Sequence, residues 1–446
     1  MRGQREKFFQ ADRRLFFLRR SATRCGENRA IDDPTGANKR QMEYEGQAID
    51  PDFQIERVKL DELDPEQFYS RFVVKRRPVV LEGTIEGWEP EKWTLERLMR
   101  MSVEKEVIVE RRSAGDRAFG TDTPRVKMPW SEFIARMGNK DEEESDYYLS
   151  TQYEDNDDEV DEFCSFPLSC FLDQVPARPS ILGSLVPNRM NMWMGKSRVG
   201  TSSGLHHDFD DNLYILLKGE KKFCLFSPID AYKMNTYGTI KRVHPNGLIN
   251  YEGCEETRSD GITLSEVTAL LSMSKQPCPT APSSSDLSAS DVTADDSCGE
   301  QSDCLSCSFD MSSFKDDFDD YVDMSADSLS READDGSEEP LHFCKLPSSY
   351  FVNSRSSSPP HRVLELHQGD ALYLPAGWFH EVTSCGTHDS SDHVHLAVNY
   401  WLYPPTTTAT FESPYQDDLC RQVWTRKLQS ARARNPSAAP SDPVPV

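Results

Sequence analysis

The chain has 446 residues, a formal net charge of −25 and a hydrophobic share of 37%, which is low for a wholly globular protein and predicts that part of it is disordered. The charge is uneven, because residues 255–345 contain 22 acidic and only 5 basic residues. This acidic balance argues against a broad surface for nucleic acid and favours basic protein partners. No run approaches the roughly 18 apolar residues of a membrane span, so no membrane segment is predicted.

The N-terminal segment differs from the rest, since residues 1–30 contain nine Arg and Lys residues against three acidic ones. This composition predicts a basic extension, disordered through residue 48. An organellar transit peptide and an unstructured leader, the latter with Met42 as the true start, are both open, and the leader is favoured. The twelve cysteines are scattered and follow no apolar signal peptide, which indicates free thiols in a reducing compartment, cytoplasmic or nuclear.

Folded character begins near residue 50, where short helices alternate with short strands. A helix start at Asp64-Pro65 precedes apolar residues at helical spacing, and "WTLERLMRM" and "PWSEFIARMGN" also favour helices. Strands are favoured by "RPVVLEG", "VEKEVIVERR" and "DYYLSTQY". The acidic stretch "EDNDDEVDEF" lacks the flanking helices and glycine turn of a calcium loop, so we interpret it as a solvated loop.

The second half is rich in strand patterns. Two strands around a bend are predicted over residues 190–227, and further strands by "HRVLELHQGDALYLPAGWFHEV" and "VHLAVNYWLYP". Between them, residues 255–345 are rich in Ser, Asp and Cys, which predicts a disordered acidic insertion. "DDLCRQVWTRKLQSA" predicts a C-terminal helix before a Pro/Ser/Ala tail. The whole pattern predicts a mainly β (α+β) protein, a barrel or jelly roll with helices mostly before the strands.

The stretch "SSGLHHDFDDNLY", residues 202–214, is the strongest candidate for a metal site. Side chains two apart on a strand share a face, so His206 and Asp208 can bind one cation while His207 points the other way. Asp210 and Asp211 are expected in the loop between two strands rather than as further ligands. His380, in "LPAGWFHEV", is the leading candidate for a third ligand. Two histidines and one carboxylate form the facial triad of non-haem Fe(II) oxygenases, which leaves positions open for a 2-oxo acid and dioxygen.

Zinc sites are the weaker interpretation in two places. No pair of cysteines flanks the histidines, as a closed structural zinc site would require. Cys298, Cys304 and Cys307 include a single CxxC within the predicted disordered insertion, and solvated thiols are favoured there.

Several separated motifs resemble the jumonji-C (JmjC) family of Fe(II)/2-oxoglutarate-dependent oxygenases, most of all the small JmjC protein (lysyl) hydroxylases and their plant and protist relatives. The motifs stand in the family's order: Ser203, His206-x-Asp208, Asn212, "GEKKFCLFSP" (219–228), "GDALYLPAGWFHEV" (369–382) and "AVNYW" (397–401). The resemblance implies a double-stranded β-helix, the cupin-like jelly roll. Its implied parts are the N-terminal part of the cupin-like region at 49–180, the catalytic core at 181–405 with the insertion at 255–345, and a C-terminal helix and disordered tail at 406–446.

The resemblance also assigns the metal and its cosubstrate. It implies that His206, Asp208 and His380 bind Fe(II), and that Lys221 pairs with the distal carboxylate of 2-oxoglutarate. The two histidines lie 174 residues apart, about twice the usual spacing, which the insertion explains because long surface loops cost little closure entropy.

Four further residues match positions around the cosubstrate. Ser203 and Tyr148 match positions that hydrogen-bond the distal carboxylate, and Ser203 keeps the hydroxyl of the commoner threonine. Asn212 and Asn399 match polar positions that line the iron and cosubstrate pocket.

The implied activity is a dioxygenase that uses O2 and hydroxylates a protein side chain, with succinate and CO2 as co-products. Demethylation of N-methyl-lysine on histones is the first alternative, but no PHD-like or other zinc module accompanies the core, which favours the hydroxylase. A non-catalytic cupin scaffold would predict a broken triad, and the acidic balance argues against hydroxylation of an RNA base. The expected partner is a basic protein rather than nucleic acid or membrane, and the helix near 415–431 is a candidate for homodimerisation.

Overall fold

The protein is described from a computed structural model, which covers residues 48–49, 53–101, 105–113, 118–120, 123–152, 163–264, 266–268, 340–353, 358–387, 392–406 and 410–434. Most of the basic extension, most of the acidic stretch at 154–163, the cysteine group at 298–307 and the C-terminal tail lie outside these residues.

The N-terminal part builds most of its short strands and helices where the sequence predicts them, but the strands at 56–59 and 125–129 were not predicted. Its elements are β1 (Glu56–Lys59), α1 (Pro65–Phe68), β2 (Val79–Glu82), α2 (Leu95–Met99), β3 (Glu106–Arg111), β4 (Arg125–Pro129), α3 (Trp130–Gly138) and β5 (Tyr147–Leu149). Helix α1 begins at a capping box, in which the Asp64 carboxylate accepts from the backbone N–H of Gln67 at 2.8 Å and the Gln67 side chain accepts from the N–H of Asp64 at 3.2 Å. Both orphan donors at this end are thereby satisfied.

The rest of the chain supplies the longer strands. They are β6 (Pro187–Lys196), β7 (Thr201–Ser202), β8 (His206–His207), β9 (Asp211–Lys218), β10 (Glu220–Phe226), β11 (Ile240–Val243), β12 (Ile249–Tyr251), β13 (His361–Leu366), β14 (Ala371–Leu374), β15 (Phe379–Cys385) and β16 (Val394–Leu402). Two helices accompany them, α4 (Ser348–Asn353) and α5 (Leu419–Arg434).

Two sheets face each other across the core. The larger has nine strands in the order β1-β2-β14-β9-β16-β6-β5-β3-β4, and the smaller has five, in the order β13-β10-β15-β7 with β8 also paired to β15. Strands β11 and β12 form a separate two-stranded sheet. The mainly β jelly roll that the sequence predicts is therefore confirmed.

Strand β9 shows why its sequence is almost continuously apolar. It lies between β14 and β16, so both of its faces are covered. Leu213 and Ile215 pack with the core that includes the N-terminal helices, whereas Tyr214 and Leu216 pack with residues of the smaller sheet, such as Phe223. The face of β9 that carries Tyr214 and Leu216 therefore lines the barrel interior.

Both ends of the predicted insertion fold into the protein. Ile262 is 1% exposed, and Leu341 and Cys344 are 6% and 9% exposed, although all three lie within residues 255–345. Their burial shows that the ordered chain extends further into this range than its composition suggests. Single apolar residues among polar ones give too weak a periodicity to reveal such anchor points.

Helix α5 packs its apolar side into the protein's own core, through Leu419, Cys420, Trp424, Leu428 and Ala431. Within the described residues, no helix is both long and apolar enough to cross a membrane. The seven cysteines of the described residues are free thiols.

Candidate metal and cosubstrate site

The predicted triad meets at one end of the barrel. Strands β8 and β15 pair with His206 directly opposite His380, and their ring centroids lie 4.3 Å apart. Asp208 follows β8, and its backbone oxygen accepts a hydrogen bond from the N–H of Gly377, in the turn before β15, at 3.0 Å. Oδ2 of Asp208 lies 3.8 Å from Nε2 of His380. One ligand atom from each residue lies within 4.8 Å of the others, so the three side chains can surround a single cation.

Both triad histidines hold their rings by hydrogen bonds to backbone oxygens. Nδ1 of His206 lies 3.0 Å from the oxygen of Gly204, and Nδ1 of His380 lies 2.9 Å from the oxygen of Trp378. A carbonyl oxygen only accepts, so Nδ1 carries the hydrogen and Nε2 of a neutral ring keeps its lone pair for a metal. Burial lowers the pKa of His206 well below its ordinary value, which keeps that ring neutral.

His207 points away from the triad, as strand alternation predicts. It is fully buried, with Nδ1 3.1 Å from the backbone oxygen of Asp208 and Nε2 2.7 Å from the hydroxyl of Tyr251. Nδ1 therefore donates and Nε2 accepts, so neither nitrogen is available to a metal. Burial lowers the pKa of His207 to about 4, which agrees with a neutral structural histidine.

A chain of side-chain hydrogen bonds orients the Asp208 carboxylate. Its Oδ2 accepts from Nδ2 of Asn212 at 2.9 Å and from Nε1 of Trp401 at 3.4 Å. Oδ1 of Asn212 accepts from Nδ2 of Asn399 at 3.1 Å, and Oδ1 of Asn399 accepts from Nε1 of Trp193 at 2.9 Å. Asn212 and Asn399 thus lie on the interior, where the sequence places them, and fix the carboxylate next to the candidate metal position.

The C-terminal end of the predicted insertion covers His206. The ring of Phe343 stacks on the imidazole of His206 at 4.7 Å and 14°, and the N–H of Cys344 donates to the oxygen of Leu205 at 2.8 Å. The sequence did not indicate this contact, because residues 340–345 stand at the end of the low-complexity range. Phe343 is therefore a wall of the site that only the folded structure reveals.

Lys221 lies at the deeper end of the interior. It is 1% exposed, and its Nζ is 2.6 Å from Oγ of Ser384 and 3.5 Å from Nδ1 of His395. Burial lowers the pKa of Lys221 to about 7, and no carboxylate of the described residues pairs with it. Strand alternation could have located two of its neighbours. Ser384 lies four residues after His380 on β15, and His395 lies four residues before Asn399 on β16, so each pair shares a face of its strand.

Tyr148, rather than Tyr147, faces this deeper end. The ring centroid of Tyr148 is 5.8 Å from Nζ of Lys221, and the ring stacks on Phe119 at 5.0 Å. The ring of Tyr147 instead lies 4.8 Å from the guanidinium of Arg136, on the other side of β5. The register chosen for this short strand from sequence therefore agrees with the structure.

Ser203 is placed differently from the other predicted residues. Its hydroxyl donates to the backbone oxygen of Gly204 at 2.9 Å and accepts from the N–H of Val382 at 3.1 Å. A carboxylate needs a donor, and the single hydroxyl hydrogen of Ser203 is already used in this conformation. The hydroxyl that contacts Lys221 belongs to Ser384.

A buried ion pair braces the metal end. Arg76 forms a two-pronged ion pair with Asp211, and both side chains are 0% exposed. The same carboxylate accepts from the hydroxyl of Tyr373 at 2.6 Å and from the N–H of Ala376, in the turn before β15, at 2.9 Å. From the sequence, Asp211 is expected in a loop; the structure places it at the first position of β9, because Arg76 compensates its charge there.

Comparison with known proteins agrees with this geometry. A family model described as a cupin-like domain matches residues 65–408. The chain belongs to the cupin-like JmjC family. It is 30% identical to JmjC domain-containing protein 4 of Schizosaccharomyces pombe, across 82% of this chain and 88% of that protein.

More distant relatives carry names of several activities. The chain is 25% identical to the human bifunctional peptidase and (3S)-lysyl hydroxylase JMJD7, across 41% of this chain and 62% of that protein. It is 24% identical to lysine-specific demethylase 8 of Xenopus tropicalis, across 43% of this chain and 41% of that protein. JmjC proteins are typically 2-oxoglutarate-dependent oxygenases that use Fe(II), and the chain is an oxygenase of this general class.

The residues present fit such a cofactor pair. The triad offers two imidazole nitrogens and a carboxylate, the donor set of non-haem Fe(II) sites. The buried Lys221 and an unpartnered Nε2 of His395 suit an anionic ligand at the deeper end.

Proposed function

We propose that this chain is an Fe(II)- and 2-oxoglutarate-dependent dioxygenase that uses O2 to hydroxylate a protein side chain, with succinate and CO2 as co-products. In this proposal His206, Asp208 and His380 bind the iron, and Lys221 binds the distal carboxylate of 2-oxoglutarate. The observation that carries it is the triad, with both Nε2 atoms available, in the same barrel as a buried lysine that no carboxylate of the described residues pairs with.

Iron and 2-oxoglutarate, when bound, supply the oxidising chemistry; the residues of this chain hold and orient the reactants. The backbone oxygens of Gly204 and Trp378 set the two imidazole rings, and Asn212 sets the carboxylate. Tyr148 and Asn399 line the same interior, and Ser203 is the predicted cosubstrate contact that receives least support.

The test compares the two adjacent histidines. With Fe(II) supplied, His206→Ala should abolish both metal binding and the formation of succinate from 2-oxoglutarate. Its loss of metal affinity should exceed the roughly 10–100-fold that is typical when an outer-shell partner is removed. His207→Ala, the matched control, should keep both and lower only the stability. Loss of turnover in His207→Ala alone would show that the metal ligands are wrongly assigned. A folded, metal-loaded native chain that bound no 2-oxoglutarate would instead support a scaffold.

We prefer hydroxylation to demethylation as the net reaction, although the same oxygenase chemistry can lead to either product. Mass spectrometry of candidate basic proteins decides between them, because hydroxylation adds one oxygen atom and demethylation removes one methylene equivalent. Loss of methyl groups from a histone substrate, with release of formaldehyde, would show that the activity is demethylation and not hydroxylation.

We further propose that the substrate is a basic protein segment and that the enzyme acts in the cytoplasm or nucleus. The net charge of −25 supports such a partner over nucleic acid. A homodimer through α5 would use its outward side, because its apolar side is covered within the chain. Light scattering of the full chain, with and without substitutions on the outward side of α5, tests that dimer.

A further inference from the structure

His395, on β16, has one ring nitrogen without a hydrogen-bond partner. The side chain is 0% exposed, and Nδ1 lies 3.5 Å from Nζ of Lys221. Nε2 is buried, and no described residue forms a hydrogen bond with it. An ammonium group only donates, so Nδ1 is the acceptor beside a charged Lys221, and the imidazole hydrogen is then on Nε2. The deeper end of the barrel thus contains a buried N–H donor that no acceptor satisfies.

A glycine packs closely against this donor. Gly195 lies opposite His395 in the β6–β16 pair. A Cβ atom at position 195 would lie 3.0 Å from Nε2 of His395 and 2.8 Å from Cδ2 of Tyr148, so any larger residue would force both rings to move. His395, Tyr148 and Lys221 therefore lie next to one another inside the barrel.

We propose that His395 is a second binding residue for the distal carboxylate of 2-oxoglutarate, which its Nε2–H holds together with Nζ of Lys221. A carboxylate provides the acceptor that the buried N–H lacks, and bonds to a charged acceptor are the strong ones. It also provides the counter-charge for Lys221, which no described carboxylate supplies. The inference rests on the proposed function, because it presumes that 2-oxoglutarate is the ligand.

The test measures 2-oxoglutarate binding by calorimetry in the full chain loaded with Mn(II) without oxygen, so that no turnover interferes. His395→Phe should weaken binding by about 10–100-fold, the loss expected for one hydrogen bond to a charged group. His395→Gln should restore most of the affinity, because its amide nitrogen can occupy the position of Nε2. 2-Oxopentanoate, which lacks only the distal carboxylate, should bind native protein and His395→Phe equally.

Each result separates the inference from the proposed function. Native protein that fails to bind 2-oxoglutarate contradicts the proposed function itself. Native binding that depends on Lys221 but is unchanged in His395→Phe overturns only the inference. An equal loss for 2-oxopentanoate and 2-oxoglutarate also overturns it, since His395 would then merely support the pocket.

A measurement on the native chain covers the case in which His395→Phe does not fold. In the imidazole region of a ¹H–¹⁵N spectrum, 2-oxoglutarate should protect one N–H from exchange with water, and 2-oxopentanoate should not. Assignment of that signal to another histidine, by its persistence in His395→Gln, would overturn the inference.

Discussion

The two ends of the barrel interior differ in how their polar groups are satisfied. At the metal end, the rings of His206 and His380 are held by backbone oxygens, and the Asp208 carboxylate accepts from Asn212. At the deeper end, neither a carboxylate partner for Lys221 nor a hydrogen-bond partner for Nε2 of His395 is found among the described residues. The metal end is therefore arranged by the protein itself, whereas the deeper end is, in our proposal, completed by its ligand. Changes at the first should cost stability or metal, and changes at the second should alter ligand affinity.

The largest expected effect lies in the brace under the metal end. Asp211→Asn leaves Arg76 buried without its counter-ion, and breaking a buried pair from one side costs about 3–5 kcal/mol. Chemical denaturation of the ligand-free chain should show this loss in the free energy of unfolding.

Asp210 is the matched control for that substitution. Burial raises the pKa of Asp210 to about 7, so its carboxyl is already partly neutral and Asp210→Asn removes little charge. Its side chain accepts a hydrogen bond from Asn188 at 3.1 Å, which an asparagine oxygen can also accept. Equal destabilisation by the two substitutions would show that the Arg76 pair does not brace this end.

A smaller effect is expected where the protein orients the metal-side carboxylate. Asn212→Leu has a similar volume but removes the donor to Asp208 and the acceptor for Asn399. Loss of such an outer-shell partner typically weakens metal binding by about 10–100-fold. Titration of the chain with Mn(II) or Co(II) in the absence of oxygen measures the change in metal affinity.

Ser203→Ala serves as the control, because the hydroxyl of Ser203 bonds the backbone near the metal but not Asp208. It should leave the metal affinity within about twofold of the native value, a change below roughly 0.5 kcal/mol. A loss as large as that of Asn212→Leu would mean that general loosening of the site, and not orientation of Asp208, sets the metal affinity.

The two ends also differ in how far sequence reasoning reaches. Strand alternation and the spacing of the motifs locate His206, Asp208 and His380, and the structure brings these three together. Lys221 follows from its motif, but its neighbours Ser384 and His395 come from strands that pair with β10 and β6 only after folding. Strand alternation puts these two side chains on the same faces as His380 and Asn399, but it does not show that their strands meet Lys221, which is why the contacts were missed.

Two further misses have the same physical origin. Asp211 was expected in a loop because acidic residues seldom enter a core. Its partner Arg76, which makes burial possible, lies 135 residues away in the sequence. Phe343 follows a low-complexity segment, and its stacking on His206 depends on a bridge between residues far apart in the chain. The mainly β fold, by contrast, was predictable because each strand has its own alternation.

A pH dependence is expected at the deeper end. Burial lowers the pKa of Lys221 to about 7 from 10.5, and His395, Ser384, Tyr148, Tyr214 and Cys385 surround its amine. Between these pH values the unfolded chain holds a proton that the ligand-free native chain has lost, so stability from this group rises with pH there. Below about pH 7 both states are protonated, and the cost of burying the charge is present in full.

Binding of 2-oxoglutarate has the opposite pH dependence, because the dicarboxylate favours the protonated lysine. The affinity should be highest below about pH 7 and fall above it, by at most about tenfold per pH unit for one proton taken up. Lys221→Arg, which stays charged throughout, should lose this dependence. 2-Oxopentanoate separates the two ends: it reaches the metal but offers Lys221 no carboxylate, so any pH dependence it shares with 2-oxoglutarate belongs to the metal end. Identical pH profiles for the two ligands would place the titrating group among the metal ligands and remove the distinction between the ends.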